Sequence, residues 1–156
     1  MSSKSIGYTI LGIAFIGGSI YALAQLGGRG SPLQVCVNHT GTGSHIHTDL
    51  QVIIDGNVQQ IPANVGIGGT CMRPVHTHDA SGKIHVEFPS KHDFTLGDFF
   101  TLWAKPFDAT HLMDKVVDDT HEIIMTVNGQ PSNDFRNHVI RDEEKITLQY
   151  QTKQTK

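Results

Sequence analysis

Residues Met72–Pro89 read MRPVHTHDASGKIHVEFP, and the period of this stretch decides the fold. Lys83–Phe88 alternates strictly: Ile84, Val86 and Phe88 fall on one side of an extended chain, His85 and Glu87 on the other. Asp79–Gly82 is a turn-forming run, because Asp and Ser side chains bond their own backbone and Gly tolerates a positive φ. A tight connection there returns the chain antiparallel and sets His76 and His78 beside His85 and Glu87.

The same period appears upstream in His45–Asp55, HIHTDLQVIID. Ile46, Leu50, Val52 and Ile54 mark a core side, while His45, His47, Asp49, Gln51 and Ile53 mark the opposite one. Asp55 and Gly56 then predict a hairpin before Val58. His45 and His47 therefore open a hairpin strand on the side away from the core. Ile61–Gly69, IPANVGIGG, reads as a loop or bulged strand whose apolar residues are placed to cover the site.

Six potential ligands thus arrive as pairs spaced two apart: His45 and His47, His76 and His78, His85 and Glu87. Seven of the ten histidines lie between His39 and His92, so the enrichment is local. An ordinary four-coordinate zinc site uses three or four protein groups. The preferred ligands are His76, His78 and His85, joined by His45 or His47. Glu87 is assigned to fixing a ligand or moving a proton on a bound water, which makes it the candidate catalytic residue, with direct ligation as the competing role. Asp79 is placed either to accept a hydrogen bond from a ligating imidazole or to cap its own turn. His39 and His92 stand outside the pattern. Imidazoles suit copper or zinc, and a carboxylate widens the range toward iron and manganese.

Cys36 precedes the first histidine cluster and Cys71 the second, so a disulfide between them would hold the two approaches together. The competing reading makes Cys71 or Met72 a soft ligand for copper.

Ile6–Leu26, IGYTILGIAFIGGSIYALAQL, carries no charge and matches the roughly 20 residues that a membrane-crossing helix needs. It is read as a single-pass anchor that attaches the chain to the cell membrane. The alternative is a signal peptide cleaved after Ala22-Leu23-Ala24, which leaves a secreted protein. Both readings put the remainder outside the cytoplasm. The expected organisation is a signal anchor or signal peptide at 1–27, a linker at 28–37, a histidine-rich metal-binding domain at 38–150, and a mobile tail at 151–156.

Elsewhere, HDFTLGDFFTLWAKPF (92–107) carries Thr95 and Asp98 at capping-box spacing, followed by an apolar helix side of Leu96, Phe99, Phe100 and Trp103. A further short helix is expected over Asp108–Val117, and strands over Glu122–Val127 and Lys145–Tyr150, with a break at Asn128-Gly129. The fold class is mostly β or α+β, with one or two short helices and a closing hairpin of β-grasp-like rhythm. The 12 basic residues are scattered against 15 acidic ones, with no arginine cluster, which argues against a nucleic-acid partner.

The segments HTHDASGKIHVEFP, FTLGDFFTLW and HIHTDLQVIIDGNVQQIPANVGI together resemble a group of small microbial proteins, secreted or held by one N-terminal helix, that carry HxH and HTHDxxGxIHxE motifs. The resemblance covers about residues 35–103 and runs more loosely to 150. Lys83 and Phe88 are bulkier than that pattern's residues. The resemblance implies an extracytoplasmic domain with a histidine-rich metal centre and specifies no reaction.

Three functional classes follow: a copper or zinc protein that stores, delivers or senses the ion; a small metalloenzyme, hydrolytic or acting on an oxygen species; and a protein-interaction module stabilised by metal. No substrate-selecting groups or partner-specific motif are visible, so turnover and any protein partner are left open.

Overall fold

The computed structural model describes residues 31–39 and 43–154. The chain divides into two units, Met1–Gln34 and Val35–Lys156, and the described part of the first contains a 3-10 turn at Pro32–Gln34. Ile6–Leu26 lies outside the described residues. Among those described, no helix is long and apolar enough to cross a membrane.

The second unit is a strand-rich domain. Its strands are β1 (Ser44–Ile54), β2 (Asn57–Gln59), β3 (Ile67–Gly68), β4 (Cys71–Met72), β5 (Val75–His76), β6 (Lys83–Phe88), β7 (His111–Leu112), β8 (Lys115–Val116), β9 (His121–Val127), β10 (Gln130–Ser132) and β11 (Lys145–Thr152). One helix, α1 (Leu96–Leu102), and a 3-10 turn at Phe135–Asn137 complete the described elements.

The main sheet runs β10-β9-β11-β1-β6-β5, with β2 also paired to β1. The long β1 organises it. One edge pairs parallel with β11 from Asp49 to Ile54. The other pairs antiparallel with β6 over Ser44–Asp49 and with β2 over Val52–Ile54. The β1–β2 hairpin closes at Asp55 and Gly56, both at positive φ, which the Asp-Gly signal requires.

Strand period separates two faces. Leu50, Val52, Ile54, Ile84, Val86, Ile123, Met125, Ile146, Leu148 and Tyr150 are buried on one. Phe94, Leu96, Phe99, Phe100, Phe107, Leu112 and Ile140 supply the rest of the core. Each fully buried large apolar side chain contributes about 1.5–3 kcal/mol. The start of α1 matches its sequence signal: Thr95 accepts from the Asp98 N–H, and Asp98 returns the bond to the Thr95 N–H at 2.8 Å. Leu96, Phe99 and Phe100 of its apolar side are buried and Trp103 at the C-cap is half-buried, and the helix contacts β5 and the Phe135–Asn137 turn.

The helix expected over Asp108–Val117 is replaced by the β7–β8 hairpin, which pairs His111 with Val116 and Leu112 with Lys115. Two local features defeat a helix there. The Asp108 carboxylate accepts the N–H groups of Thr110 and His111, and Met113 sits in the left-handed region at φ 58°. β11 continues to Thr152, and the Lys153 N–H bonds to the Thr120 carbonyl, so ordered pairing runs past residue 150.

Candidate metal centre

The face of β1, β6 and β5 opposite the core carries the histidines. Register places His45 opposite Glu87 and His47 opposite His85, and β6 then pairs His85 with His76. His47, His85 and His76 therefore form one row across three adjacent strands, with His45 and Glu87 beside it. Asp49 and Lys83, paired in the next row of this face, form an exposed ion pair at 2.8 Å. His78 lies two residues past the end of β5, and its ring centroid lies 4.7 Å from that of His76 and 4.6 Å from that of His85.

The seventh member is His39, which the strand alternations did not select. A β-bridge joins Val37 to Met72, and a disulfide links Cys36 to Cys71 with a Cα–Cα distance of 5.1 Å. Together they lay Cys36–His39 beside the strands. His39 Nδ1 then lies 3.0 and 3.1 Å from the two oxygens of Glu87. The sequence holds only a conditional trace of it: His39 lies three residues after Cys36, which places it once the Cys36–Cys71 pairing is known. The disulfide removes the alternative in which a Cys71 thiolate binds copper.

Glu87 is the centre of charge. Its side chain is 0% exposed, with His45 Nε2 at 3.3 Å and His76 Nε2 at 3.9 Å in addition to His39. A buried carboxylate needs a positive or hydrogen-bonding partner, and imidazoles approach this one from three segments.

His76 is fully buried. Its Nδ1 lies 2.9 Å from the Arg73 carbonyl oxygen, so Nδ1 carries the proton in the neutral ring and Nε2 presents its lone pair. That Nε2 lies 3.1 Å from His78 Nε2. Two nitrogens bound tetrahedrally at the usual zinc–nitrogen length stand about 3.3 Å apart, so this pair already has the spacing of a coordination edge.

Donor atoms of His76, His78, His85 and Glu87 all lie within 4.8 Å of one another, as do those of His45, His47 and His85. Burial, then the neighbouring His78, pushes the imidazolium pKa of both His76 and His85 down to about 4. Both rings are therefore neutral, the form that binds metal, across the physiological range. Among the described residues the buried Nδ1 of His85 has no hydrogen-bond partner, and a cation at that nitrogen would satisfy it. These clusters can coordinate a metal ion, and on all three counts the residues fit one.

The loop before β3 closes over His76 with backbone rather than with apolar side chains. Thr77 N–H donates to the Val65 carbonyl, and Arg73 N–H to that of Gly66. Ile61 and Val65 are buried in the core. Asp79 is exposed, and its carboxylate accepts from the Ser81 N–H at 2.9 Å, the turn-capping alternative. The other four histidines lie elsewhere. His92 packs on Phe88 and Phe94, His111 and His121 bond Asp108 and Asp118, and His138 bonds Glu144 at 2.9 Å.

No protein-family model, curated protein or solved structure matches this chain, so what the site can do rests on its own residues.

Proposed function

We propose that this chain is an extracytoplasmic transition-metal-binding protein that holds copper or zinc in the histidine patch. One observation carries the reading: six imidazoles and a buried carboxylate converge on one face of three strands. Nitrogen-rich donor sets favour copper and zinc over magnesium or calcium, and one carboxylate leaves iron and manganese in range. His39 and His45 keep side-chain exposures of 59% and 45%, so a bound ion stays within reach of solvent and of a competing ligand. That accessibility suits storage, delivery or sensing.

Two observations support the location. The Cys36–Cys71 disulfide suits an oxidising compartment, and the uncharged stretch Ile6–Leu26 suits an anchor or an export signal. The motif resemblance described above implies the same placement.

Enzymatic turnover is the second reading, and it has its own observation. Glu87 shares hydrogen-bonding contact with His39, which reaches solvent, so a proton taken from a water in the site has a relay outward.

Elemental analysis of the purified chain, with a competition titration, tests the first reading. A stoichiometric transition metal in the native protein, and its loss from the His76→Ala/His78→Ala/His85→Ala variant, are expected. No bound metal, together with unchanged stability of that variant, would overturn it. Metal-dependent turnover that Glu87→Gln abolishes while metal stays bound would establish the second.

A further inference from the structure

The two groups of convergent donors overlap in one residue, His85. Strand order explains why. β6 lies between β1 and β5, so His85 has His47 and His45 on one flank and His76 and His78 on the other. Ring centroids follow the same arrangement, with His85 4.7 Å from His47, 4.6 Å from His78 and 5.4 Å from His76. A single ion of ordinary coordination uses four or five donors, fewer than the seven side chains gathered here. An imidazole has two ring nitrogens, and the Nδ1 of His85 is buried without a partner among the described residues.

We propose that the patch holds two transition-metal ions, one on His76, His78 and Glu87 and the other on His45 and His47, with His85 giving one ring nitrogen to each. The proposal deepens the metal-binding reading and rests on it. A neutral imidazole carries one N–H proton, so sharing the ring releases that proton to water when the second ion binds. The two cations compensate the negative charge left on the ring. Glu87 adds a carboxylate beside the shared ring, so the two-ion site gathers one acidic side chain and five imidazoles, with His39 closing over it.

The test loads the full chain with Cu(II), removes unbound metal, and measures copper per chain and the integrated electron spin resonance signal. Two coppers per chain are expected. Read at liquid-helium temperature, where weak antiferromagnetic coupling through a shared imidazole leaves the two spins paired, the signal per copper at full loading should fall far below that of the singly loaded chain. His45→Gln/His47→Gln and His76→Gln/His78→Gln are each expected to retain one copper with an undiminished signal. One copper in the native chain would overturn the second site while leaving the metal-binding reading intact. Two coppers with an undiminished signal would overturn the sharing by His85. No copper at all would overturn both readings. The native chain decides among these outcomes without the variants.

Discussion

Glu87 and His39 show how much one contact can decide. Removing the imidazole that covers Glu87 leaves a buried carboxylate with less compensation and a looser ligand set. His39→Ala is therefore expected to weaken metal binding by about 10–100-fold, the usual effect of losing a group that orients a ligand. Competition against a chromophoric chelator measures it, and an unchanged affinity would make His39 a mere cover. His76 and His85 supply a second expectation, for the metal-free chain. Their pKa values near 4 in the folded state lie below the ordinary 6.5, so between those values the unfolded chain binds more protons than the folded one. Stability is thus retained above about pH 6.5 and lost as pH falls toward 4. Urea midpoints across that range should fall with acidification, and His76→Gln should flatten the slope. A slope unaltered by the substitution would remove His76 from the account.

At the scale of elements, the backbone packs tightly against a ligand strand at Gly66. It lies at φ +75°, and a Cβ there would collide with the Val75 carbonyl and press on His76. Gly66→Ala should cost more than about 1 kcal/mol and lower metal affinity in step, read by denaturation and chelator competition. Thr95→Ala should cost about 1 kcal/mol through loss of the cap, with metal binding unaffected. β6, the β1–β2 hairpin and the α1 cap were legible in the sequence because each rests on local chemistry: a period of two, a turn dipeptide, a capping pair. Asp108–Val117 was misread because its decisive groups are side-chain acceptors. The motif D-x-T-H occurs there at Asp108–His111 and again just after it at Asp118–His121, and in both copies one aspartate oxygen takes the Thr and His N–H groups and the Thr hydroxyl. Its repetition was visible, and it marks entry to a strand rather than a helix.

Across the whole molecule, long-range closure is what the sequence did not reveal. The parallel pairing of β1 with β11 joins Asp49 to Lys145, and no local signal specifies partners so far apart. The placement of His39 is of the same kind, since it depends on the disulfide as well as on its own segment. Cys36→Ser/Cys71→Ser should cost about 2–4 kcal/mol in denaturant and also weaken metal binding. A stability loss with no change in affinity would separate the bridge from the site.

Strand alternation has one more consequence. The register that buries Ile84 and Val86 in the core is the register that turns His85 and Glu87 to the opposite face, and a slip of β6 by one residue would turn both toward the core. The apolar interior therefore proofreads the ligand face before an ion arrives. The centre is a preformed receptacle whose alignment is checked by oil rather than by metal, and chelator-stripped protein should keep the strand signature of its circular dichroism.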